Sequence, residues 1–156
     1  MHLLPPSQEK AAKKKDWLTR RTLIPQKSPQ QAEYDRLHRL LKHALLLRDG
    51  TRCIGPGFDH EGVLDCSHIF PKSVYSHIRF DLDNVMVQCR KHHEWWGKNS
   101  KIAGDWIQTV IPKERYDRLL AKAIASLQDT SPVNVSAWER ILKQQIGMLR
   151  RTHSYS

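Results

Sequence analysis

All three cysteines and five of the nine histidines of this chain fall between Cys53 and His93. A stretch so dense in soft and borderline ligands is more constrained than any apolar pattern elsewhere, because several must converge if they bind one ion. Cys89-Arg90-Lys91-His92 is a C-x2-H unit, and two ligands three apart across a strand-to-helix turn can hold one Zn²⁺ tetrahedrally. A second pair must come from elsewhere. Cys53 supplies one member, and the fourth ligand lies between Cys66 and His60. Cys66 is favoured: early on a strand antiparallel to Val85–Gln88, it would lie near the end where Cys89 stands, and thiolates suit zinc. The competing reading, that free cysteines are small buried hydrophobes, is weakened by three of them in 37 residues beside a C-x2-H unit.

The surrounding segments divide the chain. Residues 1–30 carry seven Lys/Arg, among them Lys13, Lys14, Lys15, Arg20 and Arg21, against two acids, together with four of the eight prolines. With few apolar residues to offset ordering entropy, this is a basic tail suited to lying along a phosphate backbone. Ser28-Pro29 is read as the cap and first position of a helix running to about Arg48, so that residues 31–50 pack on the core, with Tyr34, Leu37, Leu41, Ala44, Leu45 and Arg48 on one stripe and Asp49-Gly50 at its end. Residues 51–100 form the Cys/His module, with short strand-like runs. Residues 101–156 read as helical support: Ile102–Val110, a helix from Pro112 to Leu127, and a last helix opened by Ser136-Ala137-Trp138-Glu139, which has capping-box form. The expected class is α+β. Trp95 and Trp96 are read as core rather than as base-stacking residues.

Within the module the order is strand, loop, strand, helix. His68 ends the first strand, Asn84 precedes the second, and His92-His93 open the helix. That set can support phosphodiester hydrolysis: one imidazole takes a proton from water, a carboxamide holds the loop, and a helix imidazole binds a divalent cation. Neighbouring histidines point about 100° apart on a helix, so one can face zinc and the other an active site. Lys72 and Arg79 flank the site and could hold phosphate.

The residues Cys66-Ser67-His68, Ile78-Arg79-Phe80-Asp81-Leu82-Asp83-Asn84-Val85, Gln88-Cys89-Arg90-Lys91-His92-His93 and Gly97-Lys98-Asn99 together resemble the HNH (His-Me finger, ββα-metal) endonucleases, and more narrowly the phage recombination proteins of the NinG/Rap type. The resemblance covers about a third of the chain. It implies a small zinc-stabilised ββα-metal core flanked by N- and C-terminal helices. It implies His68 as general base, Asn84 as the family's asparagine and His93 as ligand to a catalytic Mg²⁺ or Mn²⁺. Cys53, Cys89 and His92 match three of four structural zinc positions. Two positions depart from the pattern. Pro56 stands where a second Cys is usual, and Ser67 stands where an Asp or His ligand often precedes the base; Asp65 and Glu94 are the nearby acids.

Charge sets the partner class. Lys plus Arg number 26 against 16 acids, a formal +10 on 156 residues with a pI near 9.8, which suits nucleic acid. The longest apolar run, Ala44 to Leu47, is far short of the ~18 residues a membrane span needs, and the first residues lack a signal-peptide core. Three cysteines are too few for a secreted disulfide scaffold. The expectation is a cytoplasmic DNA-binding protein (host cytoplasm if phage-encoded), working beside recombination or replication proteins. It is either a metal-dependent DNA endonuclease or a zinc-stabilised nucleic-acid-binding module that cuts nothing.

Overall fold

Ser28 starts the first helix by two bonds at once. Its Oγ accepts from the Gln31 amide at 3.1 Å and its carbonyl from Ala32 at 3.0 Å, while Pro29 loses nothing at a position whose N–H has no helical partner. In this computed structural model, which describes residues 27–57, 60 and 62–154, the helix (α1) spans Pro29–Asp49. Gly50 ends it at φ +73°, a conformation only glycine adopts without strain, and returns its N–H to the Leu46 carbonyl. The basic tail residues Lys13, Lys14, Lys15, Arg20 and Arg21 lie outside the described residues. The chain divides into residues 1–32 and residues 33–156, and the sheet, the metal group and the histidine cavity all lie in the second unit.

The described residues continue with β1 (Leu64–His68), two short 3-10 turns (Ser76–Ile78 and Leu82–Asn84), β2 (Val85–Cys89), α2 (Arg90–Lys98), α3 (Ser100–Val110), α4 (Lys113–Gln128) and α5 (Val135–His153). The class is α+β. No helix among the described residues is long and apolar enough to cross a membrane. The last helix departs from the expected capping box. Asn134 rather than Ser136 is its cap, accepting from the Ala137 amide at 2.9 Å, and Glu139 instead pairs with Arg36 and Lys143 at 2.8 Å each. Asparagine caps at least as well as serine and sits two residues earlier, so the helix begins before Ser136 can act.

The two strands pair antiparallel, with Leu64 opposite Cys89, Cys66 opposite Val87 and His68 opposite Val85. Side chains alternate across such a ladder, and each face meets its own core. Leu64, Cys66, Val85 and Val87 pack with Leu37, Leu41 and Leu45 of α1, Phe80, and Leu142 and Ile146 of α5. Met86 packs on the other side with Ile69, Ile78, Ile107 of α3 and Leu119 and Ala123 of α4. The start of β2 is held by two buried-side guanidinium groups. Arg48 donates to the Leu82 and Val85 carbonyls at 2.6 and 2.9 Å, and Arg115 to those of Asp83 and Val85 at 2.9 Å. The loop between the strands is therefore fixed from both α1 and α4.

Candidate metal centre and histidine cleft

The turn after α1 enters the sheet through the amide of Ile54, which donates to the Val87 carbonyl at 2.7 Å. That bond lays Cys53 beside the end of β2, where its sulfur accepts the Cys89 amide at 3.1 Å. Helix α2 begins at once after Cys89 and brings in His92. Its Nδ1 lies 3.1 Å from the Cys89 sulfur and 3.5 Å from the Cys53 sulfur. With His60 the group is Cys53, His60, Cys89 and His92, whose ligand atoms all lie within 4.8 Å of one another. Zinc bonds of about 2.0 Å to nitrogen and 2.3 Å to sulfur make a tetrahedral edge of about 3.5 Å, so the separations and the donor chemistry both fit a structural ion such as Zn²⁺.

The fourth position corrects the sequence expectation. Cys66 stands opposite Val87, two places from Cys89, and its side chain belongs to the core beneath α1 and α5. Burial pushes its thiol up to about 11, so it stays protonated there. The fourth member of the candidate group is His60, which precedes β1.

Two residues around the group escaped sequence reasoning. His92 Nε2 donates to the Pro56 carbonyl at 2.9 Å, which places the ring proton on Nε2 and leaves Nδ1 as the donor to a metal. A β-carbon on Gly55 would stand 2.4 Å from the His92 ring, so glycine is required for the chain to pass that ring. The Gly-Pro-Gly run at 55–57 was the available signal. His92 is fully buried, and desolvation holds its pKa below the ordinary value, opposing the Pro56 hydrogen bond; the neighbouring His60 and Lys91 act in the same direction as burial. Desolvation likewise raises the Cys53 thiol.

His93 follows His92 on α2 but points elsewhere. It is half-exposed, its Nδ1 lies 3.5 Å from Asp65 Oδ2, and it shares a cavity of about 540 Å³ with His68. Arg90 also reaches Asp65, at 3.0 Å. His68 Nε2 donates to the Arg79 carbonyl at 2.9 Å, which assigns the proton to Nε2 and the lone pair to Nδ1. Desolvation lowers the His68 pKa to about 4 against that hydrogen bond, and the positive neighbours Lys72 and Arg79, with His93, lower it further. The ring is therefore neutral near pH 7.

Asn84 is fully buried and ties the loop together. Its Oδ1 accepts from the Phe70 amide at 2.8 Å, and its Nδ2 donates to the Phe70 and Ile78 carbonyls at 3.1 Å each. It holds backbone on both sides of the loop rather than facing the cavity. Ser67, the residue just before His68, is fully buried, and its Oγ has no hydrogen-bond partner among the described residues. Asp65, two residues earlier on the same face of β1, is the acid that meets His93.

Of the two proposed phosphate contacts, Lys72 is exposed and lines the cavity. The Arg79 guanidinium lies 4.2 Å from the Tyr34 ring centre and 5.4 Å from that of Phe80, while its carbonyl faces His68 Nε2. Trp96 joins the second core, and both Trp95 and Trp96 meet Trp106 edge-on. His38 of α1 lies edge-on to His68 with ring centres 5.8 Å apart and to Phe80 at 5.1 Å. Burial first, then Lys72, His68 and Arg79, lower its pKa to about 4, with Asp35 opposing. No family model, curated protein sequence or solved structure matches this chain.

Proposed function

We propose that the chain is a metal-dependent HNH endonuclease that hydrolyses DNA phosphodiester bonds, built on a ββα-metal core with a structural zinc. The observation that carries this reading is the pairing of His68 and His93 in one cavity, with His68 held by the Arg79 carbonyl so that Nδ1 keeps its lone pair. Nδ1 of His68 would take a proton from water, and the Arg79 carbonyl would stabilise the imidazolium that results. Asn84 would hold the loop carrying that carbonyl, through Phe70 and Ile78. His93 and Asp65 would hold a divalent cation, Mg²⁺ or Mn²⁺, as one imidazole and one carboxylate with water completing the shell. When bound, such an ion neutralises charge on the phosphate oxygens. Lys72 at the same cavity would attract the phosphate. The setting follows from the resemblance: phage DNA recombination, replication or packaging.

Two observations favour a second reading, a zinc-stabilised nucleic-acid-binding protein that does not cut. Ser67 is buried and offers no ligand, and Arg90 already occupies Asp65. Plasmid cleavage with Mg²⁺ or Mn²⁺ separates the two. The nuclease reading expects His68→Ala to lose about 10²-fold or more, the scale of a positioned base, with zinc content and DNA binding retained. Equal cleavage by wild type and His68→Ala overturns His68 as the base, and no cleavage by wild type with either metal leaves the binding reading.

A further inference from the structure

The cavity holding His68 and His93 is larger and more apolar than a phosphate needs. Beyond the two histidines and Lys72, its walls include Phe70, Trp96, Tyr116 and Ile107, with Gly97, Ser100 and Gly104. The three aromatic residues are half-buried and all line the cavity. Phe70 and Tyr116 are inclined by 34° with ring centres 6.2 Å apart. Phe70 is also held on both its amide and its carbonyl by Asn84, so this wall is fixed by the residue that fixes the catalytic loop.

The glycines are the second observation. Gly104 lies inside α3 and Gly97 in the last turn of α2, where glycine costs about 1 kcal/mol against alanine. Close packing does not require either of them, because a β-carbon built on Gly97 or on Gly104 meets nothing within 4 Å. Both border the cavity, and a side chain at either place would narrow it.

We propose that this cleft receives an unstacked nucleobase of the DNA strand whose phosphate lies at His68 and His93, so that the substrate class is DNA with unpaired nucleotides. The proposal rests on the nuclease reading for the phosphate's position. A base in a regular duplex is stacked and paired and cannot enter a pocket set back from the backbone. An unpaired base presents a flat apolar face that aromatic side chains accept with little regard to sequence. Lys72 supplies charge complementarity to the phosphate at the same cavity, and a cavity of about 540 Å³ falls in the range of ligand sites.

The test is fluorescence anisotropy with a labelled single-stranded oligodeoxynucleotide and a blunt duplex of the same sequence, without added magnesium or manganese. The full chain is compared with Gly104→Leu and Gly97→Leu, each checked for unchanged zinc content and circular dichroism. Wild type is expected to favour the single strand by about tenfold or more, the scale of one base stacked on an aromatic ring. At least one leucine variant is expected to bring the two affinities together while leaving duplex binding unchanged. No strand preference in wild type overturns the proposal, as does a preference unaffected by both variants. Cleavage separates it from the reading beneath it. His68-dependent cutting with both glycine variants neutral in binding sinks the cleft and keeps the nuclease. A preference lost in Gly104→Leu from a wild type that cuts no DNA keeps the cleft and sinks the nuclease.

Discussion

The ring of His92 is fixed from behind by Pro56, whose carbonyl accepts from Nε2 at 2.9 Å, while Gly55 leaves the space that ring fills. The metal-facing nitrogen is thus set by two residues that are not ligands. Gly55→Ala would place a methyl 2.4 Å from the ring and tilt Nδ1 away from the two sulfurs. Zinc affinity should fall about 10- to 100-fold, the usual cost of losing such support. Chelator competition measures it; an alanine variant that holds zinc like wild type would show that the ring is oriented by other contacts.

The ligand set itself is open to direct assay. His60→Ala should weaken zinc binding strongly, and chelation of wild type should melt the module, because an ion held by this group would join the turn before β1 to the start of α2. Cys66→Ala should keep a full zinc equivalent, since that thiol lies in the core on the α1 side of the sheet. Metal analysis giving the reverse pattern would restore Cys66 as the ligand.

His38 should make the fold sensitive to acid. Its folded pKa of about 4 lies below the unfolded value of about 6.5, so the folded state binds fewer protons between these limits. The stabilisation is fully present above about pH 6.5 and is lost as pH falls toward 4. His68 lies edge-on to it and titrates in the same window. His38→Phe keeps an aromatic ring beside Phe80 and removes one of the two groups. Urea melts at a series of pH values should show the variant gaining on wild type as pH drops from 6.5 to 4; a constant difference would exclude the linkage.

Arg115 holds the Asp83 and Val85 carbonyls where the loop enters β2. Arg115→Ala leaves these acceptors to Arg48 or to water and should cost about 1–3 kcal/mol of stability. Denaturant unfolding reads this. The same change should lower cleavage less than His68→Ala does, because Arg115 is not among the residues lining the histidine cavity.

Much of this protein is decided by residues close together in the chain. Ser28-Pro29 and Asp49-Gly50 bound α1 because caps and glycine turns act over four residues, and the C-x2-H unit brings Cys89 and His92 together because three residues span the strand-to-helix turn. Even here, competition between Asn134 and Ser136 for one helix start was settled by a two-residue difference that motif form alone did not reveal. The rest depends on register and on which face of an element looks where. A strand reverses its side chains at every step, so Cys66 enters the α1 core while the neighbouring Asp65 reaches His93. His38 meets His68 across thirty residues of chain, and His60 joins the metal group from a segment with no periodic pattern to place it. Sequence spacing lists the groups able to bind or to titrate; the pairing of β1 with β2 and the packing of α1 and α2 against them decide which of those groups meet.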